Sequence, residues 1–66
     1  MIVIINGEVK EFEKESLSLK ELLEELGYKE GFAVALNETF ILKSKYNTTL
    51  VKNEDRVDIV APVQGG

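Results

Sequence analysis

Residues 1–7 of the chain read MIVIING. The first five are apolar and mostly β-branched, which favours a strand that is buried on one face and at least partly covered on the other. Asn6-Gly7 follows directly, and this pair suits the positive φ angles of a two-residue type I′ turn. The stretch therefore predicts a hairpin whose first strand is central in a sheet.

The return strand of this hairpin is predicted over residues 8–12, EVKEF, whose charged side chains suit a sheet edge. A two-residue loop places Val3 opposite Lys10 and Met1 opposite Phe12. Side chains alternate between the two faces of a strand, so each face can be assigned from this register. The core face then carries Met1, Val3, Ile5 and Phe12, and the opposite face carries Ile2, Ile4 and Val9.

A single short helix is predicted after the hairpin. Ser18 and Glu21 have the spacing of a capping box, and Gly27 provides a left-handed stop that places Tyr28 to pack on Leu23. About two turns of helix are too short to persist without packing on the sheet. The apolar face consists of Leu19, Leu22, Leu23 and Leu26, and the outer face of Lys20, Glu21, Glu24 and Glu25.

The second half of the chain contains further strand patterns, over residues 32–36, 40–42 and 57–61. A strand-helix-strand unit favours parallel pairing, whereas the two-residue hairpin requires antiparallel pairing. We therefore expect an α+β fold with a mixed sheet of four to five strands and one helix packed on one face. The apolar first and last strands are expected to lie side by side and parallel at its centre.

The chain ends with residues 62–66, PVQGG, directly after the last strand. Glycine loses the most backbone entropy on ordering, so a Gly-Gly ending suits a segment outside the folded body. Without Cβ atoms it can thread a narrow channel, and five extended residues reach about 16 Å. We predict a domain over residues 1–61 and a flexible tail over residues 62–66. The alternative is an ordinary frayed terminus.

The composition excludes several classes of function. The 66 residues include no cysteine and no histidine, so there is no thiolate nucleophile, no disulfide and no imidazole base or metal ligand. A net charge of -4 disfavours binding to nucleic acid or anionic membranes. The apolar start is too short for a signal peptide, so we expect a soluble, cytoplasmic protein that is not an enzyme.

Five segments matter for a comparison with known folds: residues 1–7, the predicted helix 19–27, AVALN at 33–37, DRV at 55–57 and VQGG at 63–66. Their order, ending in Gly-Gly, resembles the β-grasp fold of ubiquitin-like sulfur carriers, and within that group the ThiS family of thiamine biosynthesis. Two departures are a Leu42-Lys43-Ser44 stretch with Tyr46 where that family often has Pro-Arg-Ser and Trp, and Pro62 in place of a small residue.

The resemblance implies a protein co-substrate. An E1-like adenylyltransferase, similar to ThiF or MoeB, would use Mg-ATP to adenylate the Gly66 carboxylate. A persulfide sulfur donor would then displace AMP and leave a thiocarboxylate, whose sulfur passes to a ThiG-like thiazole synthase. The carrier itself would bind no cofactor and no metal. The residues expected to enter partner active sites are Val63, Gln64, Gly65 and Gly66.

A docking surface for the activating enzyme is also predicted. The sheet face away from the helix would carry an apolar patch next to the tail, and exposed apolar patches often mark interfaces. The alternative is that these are ordinary scattered surface aliphatics. Basic side chains at Lys43, Lys45 and Arg56 could add contacts to an acidic rim on the partner, or each could belong to an ordinary solvated surface. The predicted patch consists of Ile2, Ile4, Val9 and Val60.

Three other functions fit the same residues. The chain could carry sulfur for molybdopterin synthesis or another pathway, with a different acceptor. It could be a protein modifier joined through Gly66 to lysines of target proteins. It could also be a β-grasp binding module whose tail has no role. Replacement of one C-terminal oxygen by sulfur would support a sulfur carrier, and Gly-Gly remnants on target lysines would support a modifier. A neutral effect of removing Gly66 would support a binding module whose tail has no role.

Overall fold

The structure is a computed structural model, and it describes residues 1–29 and 31–61. A 3₁₀ helix, Lys43–Lys45, precedes the last two strands. No helix in the described ranges is long and apolar enough to span a membrane. The other elements are β1 (Ile2–Ile5), β2 (Glu8–Glu11), β3 (Ser16–Ser18), α1 (Leu19–Glu25), β4 (Ala33–Leu36), β5 (Thr39–Ile41), β6 (Leu50–Lys52) and β7 (Arg56–Val60).

Five strands form one mixed sheet in the order β2-β1-β7-β4-β5. The first and last strands, β1 and β7, pair in parallel, as the sequence predicted, and the other pairs are antiparallel. The predicted hairpin register is confirmed, because Val3 lies opposite Lys10 and the Phe12 backbone N–H donates to the Met1 carbonyl at 2.8 Å. The last strand therefore lies at the centre of the sheet.

A second, two-stranded sheet pairs β3 with β6, and the sequence analysis identified neither strand. Its central residue, Leu17, lies opposite Val51, and both side chains are buried. The Leu19 N–H donates to the Thr49 carbonyl at 2.7 Å, so the pairing continues into the start of the helix. Three residues are too few to show strand alternation, and the partner strand is distant in the chain.

The helix begins and ends as predicted. The Glu21 N–H donates to Ser18 Oγ and the Ser18 N–H donates to Glu21 Oε1, each at 3.1 Å, which completes the capping box. At the other end Gly27 has a φ of +88°, the Gly27 N–H donates to the Glu24 carbonyl, and the Tyr28 N–H donates to the Leu23 carbonyl. These two bonds form a Schellman motif.

The core lies between one face of the sheet and the helix. Each buried side chain of β1, β4 and β7 belongs to the face that alternation assigns to the core. Met1 and Phe12, also predicted there, are half-buried against this core. The opposite sheet face carries no helix in the part of the chain described. The buried hydrophobic side chains of the core are Val3, Ile5, Leu17, Leu19, Leu22, Leu23, Val34, Tyr46, Val51, Val57 and Ile59.

Candidate functional site

The C-terminal end of β7 is the part of the fold from which the predicted tail extends. On one side β7 pairs with β4 as far as Val60, which lies opposite Ala33. Ala61, the last described residue, is exposed. The predicted tail, residues 62–66, lies outside the described residues. Its proposed site residues therefore stay predictions: Val63, Gln64, Gly65 and Gly66.

On its other side β7 is hydrogen-bonded to β1 and to the turn that follows β1. The Ile4 N–H donates to the Asp55 carbonyl and the Asn6 N–H donates to the Val57 carbonyl, each at 2.9 Å. The Ile59 N–H then donates to the side-chain oxygen of Asn6 at 2.7 Å. The strand that carries the tail is thus held from both sides close to its end.

The predicted docking patch is divided by the sheet register. Val9 lies opposite Ile4, and Ile2 lies on the same face of β1, so these three residues are brought together. Ile4 is half-buried, whereas Ile2 and Val9 are 43% and 68% exposed. Because Ile4 pairs with Arg56, the first residue of β7, this group lies beside the start of that strand.

Val60 lies at the opposite end of β7, on the same sheet face. It is four residues from Arg56, the partner of Ile4, which corresponds to about 13 Å along the strand. An ion pair between Arg56 Nε and Asp58 Oδ2, at 3.4 Å, lies between the two positions. The four predicted residues therefore share one face but form no contiguous patch, and their docking role stays a prediction.

The same sheet face also carries an exposed aromatic residue that the sequence analysis did not assign to it. Val60 is 64% exposed and lies opposite Ala33, and Phe40 is 62% exposed opposite Ala35, on the same face. The sequence contained a signal for this placement, because successive side chains of a strand alternate between faces. Ile41 lies opposite the buried Val34, so Phe40 belongs to the other face. Phe40 is therefore level with Asp58, and Val60 lies two residues farther along β7, beside Ala33.

An aromatic groove lies on the helix side of the molecule, next to the 3₁₀ helix. It has a volume of about 330 Å³. Phe32 stacks on Tyr46 with ring centroids 6.1 Å apart, and Tyr28 meets Phe32 edge-on at 5.5 Å. Burial raises the pKa of the Tyr46 hydroxyl. The charged residues that line the groove are Lys20, Glu24, Lys29 and Lys43.

Two of the basic residues that were proposed to contact an acidic rim lie on different sides of the molecule. Lys43 lines the groove, whereas Arg56 pairs with Asp58 on the opposite sheet face. Lys43 and Arg56 therefore do not form a single basic rim. Across residues 1–29 and 31–61, no group of three or more acidic, histidine or cysteine side chains is placed to hold a metal ion.

Comparison with known proteins identifies the family. The ThiS family model matches residues 3–66. The sulfur carrier protein ThiS of Thermus thermophilus is 39% identical over 66 residues, which cover 98% of this chain and all of that protein.

Solved structures agree with this assignment. A crystal structure of the thiamine biosynthesis protein ThiS from Geobacter metallireducens has a TM-score of 0.89 and 30% identity, and both chains are covered completely. A solution NMR structure of a thiamine biosynthesis protein from the same organism has a TM-score of 0.85 and 29% identity, with all of this chain and 88% of that one covered. The predicted ubiquitin-like β-grasp fold is confirmed, and the chain belongs to the ThiS family.

Proposed function

We propose that this chain is the sulfur carrier of thiamine biosynthesis, and that it acts as a protein co-substrate and not as an enzyme. The observation that carries the proposal is the family match over residues 3–66, which extends to the Gly-Gly ending. The Thermus relative, named a sulfur carrier, is matched over its entire length. The Geobacter protein named for thiamine biosynthesis, solved both by crystallography and by NMR, shares the whole fold.

The reacting group is the carboxylate of Gly66. A C-terminal carboxyl has an ordinary pKa of about 3.3 to 3.7, so it is ionised at neutral pH and resists nucleophilic attack. Adenylation removes this resistance. One carboxylate oxygen attacks the α-phosphorus of Mg-ATP, pyrophosphate leaves, and the acyl carbon of the resulting acyl-adenylate becomes electrophilic.

Sulfur transfer follows on the activated carbonyl. The terminal sulfur of a protein persulfide attacks the acyl carbon and displaces AMP, which forms an acyl disulfide. A second thiol then attacks the other sulfur of that bond, so a partner disulfide forms and the thiocarboxylate of Gly66 is released. The thiocarboxylate sulfur is the nucleophile that a thiazole synthase would receive.

The partners supply ATP binding and catalysis in this proposal. An E1-like adenylyltransferase of the ThiF or MoeB type binds Mg-ATP, and a ThiG-like thiazole synthase accepts the sulfur. The carrier binds no cofactor and supplies the carbonyl and the reach. Because activation consumes ATP, we place this work in the cytoplasm. The residues that enter the partner active sites are Val63, Gln64, Gly65 and Gly66.

Intact-mass spectrometry tests the proposal directly. The carrier is incubated with the activating enzyme of the thiamine pathway, Mg-ATP, a persulfide donor and a thiol. We expect the mass of the carrier to increase by the exchange of one oxygen for sulfur. A variant that lacks only Gly66 is the matched control, because it keeps all of the described fold and should show no exchange.

Three outcomes would contradict it. Exchange that persists in the variant without Gly66 would place the modification elsewhere. Exchange that occurs only with the activating enzyme of molybdopterin synthesis would assign the carrier to that pathway. In protein isolated from its own cells, Gly-Gly remnants on lysines of other proteins, without any thiocarboxylate, would indicate a protein modifier.

A further inference from the structure

We propose that Asn6 is a positioning residue for the activation of Gly66, because its side chain fixes the end of the strand from which the tail extends. The inference rests on the proposed function, since it assumes that Gly66 is delivered to a partner's active site. It is carried by the hydrogen bond from the Ile59 N–H to Asn6 Oδ1, 2.7 Å long and partly buried.

This bond continues the parallel ladder between β1 and β7. Its bonds from the β1 side are accepted by the carbonyls of Asp55, just before β7, and of Val57, two residues later. Ile59 is the next residue in this series. At that level its N–H donates to the side chain of Asn6 and extends the ladder beyond the last residue of β1.

The local conformation explains why a side chain takes this place. β1 ends at Ile5, and the chain turns at Asn6 and Gly7, whose φ angles are +51° and +83°. The backbone therefore leaves the direction of β1 before it reaches Ile59. Asparagine tolerates a left-handed conformation better than most residues and also offers an amide oxygen. Asn6 uses both properties, because its φ is positive and its amide oxygen accepts the bond from Ile59.

The position of the bond relates it to the tail. Ile59 is two residues before Ala61, the last described residue, and the opposite edge of β7 is paired with β4 up to Val60. With both edges held, the tail starts from a defined point. A defined starting point raises the effective concentration of the Gly66 carboxylate in the active site of a docked enzyme.

The chain contains a matched control for this residue. Asn37 also has a left-handed φ, +50°, and its Oδ1 accepts a hydrogen bond from the Arg56 N–H at 2.9 Å. Both asparagines therefore bond the backbone of β7 through the same atom. Asn37 acts at the first residue of that strand, away from the tail, and its amide also donates to Asp55 Oδ1 at 3.1 Å.

The experiment compares Asn6→Gly with Asn37→Gly in the full-length carrier. Glycine accepts a positive φ, so each change removes the side-chain acceptor without backbone strain. With the activating enzyme and Mg-ATP, we expect Asn6→Gly to lower kcat for adenylation about fivefold, the factor for one ordinary hydrogen bond. KM should change little, because the exposed sheet face is unaltered, and Asn37→Gly should keep the kcat of the wild type.

A conservative variant and an exchange measurement complete the test. Asn6→Asp keeps an acceptor oxygen at the same position and should restore most of the lost kcat. Amide hydrogen exchange at Ile59 and Ala61 should be faster in Asn6→Gly than in Asn37→Gly. Equal kcat in the two glycine variants would overturn the inference, as would a loss in Asn6→Asp as large as in Asn6→Gly.

The proposed function can fail separately. If the wild-type carrier is not adenylated by the thiamine-pathway enzyme, the proposed function is contradicted. The role of Asn6 in fixing the end of β7 is then tested by the hydrogen-exchange rates alone. Equal exchange at Ile59 and Ala61 in the two glycine variants would overturn it. Faster exchange confined to Asn6→Gly would support it.

Discussion

Two tight turns in this chain place their central residues in the left-handed region, but with different residue types. Asn6 and Gly7 have φ angles of +51° and +83°, and Asn37 and Glu38 have +50° and +72°. Glycine adopts this conformation without steric cost, whereas the Cβ of a glutamate meets its own backbone. The second turn is therefore held by its surroundings, including the Asn37 bonds to Asp55 and Arg56.

This comparison predicts a stabilising substitution. Glu38→Gly should raise the free energy of unfolding by about 0.5–1 kcal/mol, because relief of the left-handed strain exceeds the entropy that glycine adds to the unfolded chain. Glu38→Ala removes the same exposed carboxylate and keeps the Cβ, so it is the matched control. Urea unfolding followed by circular dichroism measures both. Equal stability of the two variants would contradict the strain argument.

A single residue, Glu21, is also expected to make the stability of the fold depend on pH. Hydrogen bonding to Ser18, first through the Ser18 backbone N–H, lowers the pKa of the Glu21 carboxyl. A carboxyl whose pKa is lowered on folding stabilises the protein above its unfolded pKa, about 4.3, and loses that contribution as the pH falls through the folded pKa. We therefore expect the stability difference between the wild type and Glu21→Gln to shrink below about pH 4.3.

Glutamine keeps the hydrogen-bonding pattern of a capping box, so it isolates the charge of Glu21. Urea unfolding of both proteins from neutral pH downward gives the measurement. A difference that stays constant through the acid range would show that the charge of Glu21 has no part in the capping interaction.

At the scale of elements, the region around the helix depends on aromatic packing and on a second small sheet. Tyr46 follows the 3₁₀ helix, stacks on Phe32, and accepts a hydrogen bond from the Lys20 N–H on its backbone carbonyl at 3.0 Å. The pairing of β3 with β6 encloses the same side of the core. Tyr46 thus contacts the helix through its backbone carbonyl and the segment before β4 through its ring.

Removal of that ring should be costly. We expect Tyr46→Ala to lower the free energy of unfolding by about 3 kcal/mol, since a large buried side chain is replaced by a cavity. A domain of 66 residues has little stability to lose, so part of the population should unfold at room temperature. Tyr46→Phe keeps the ring and should cost less than about 1.5 kcal/mol. Equal losses in urea unfolding would assign the effect to the hydroxyl.

At the scale of the whole molecule, one sheet face carries two separated apolar regions. Ile2, Ile4 and Val9 lie beside the start of β7, and Val60 lies at the end of β7 nearest the tail. The Arg56–Asp58 ion pair lies between them on β7. If the activating enzyme covers the whole face, as the predicted docking surface requires, both ends must contribute to binding.

Val9 and Val60 provide a matched pair for this question, because both are exposed valines on the same face. Val9→Asp and Val60→Asp should each lower kcat/KM for adenylation about tenfold, since each places an unpaired charge in the interface. Circular dichroism checks that both remain folded. A loss in Val60→Asp alone would restrict docking to the end nearest the tail, and no loss in either would reject docking through this face.

The elements that the sequence predicted correctly depend on neighbouring residues. The capping box joins Ser18 to Glu21, the helix stop requires Gly27, and the first hairpin requires Asn6-Gly7. Each signal spans only a few residues, so it can be read without knowing the rest of the fold. The order of strands, with an apolar first and last strand, was sufficient to predict their parallel pairing.

Only the tertiary structure decided how distant segments align. The pairing of β3 with β6 joins residues as far apart as Ser16 and Lys52, and the register of β1 on β7 separates Val60 from Ile4. The bond between Ile59 and Asn6 spans 53 positions. Hydrophobic alternation assigns a residue to a face but does not specify how far one strand slides along another, because backbone hydrogen bonds form equally well at any register of the same parity.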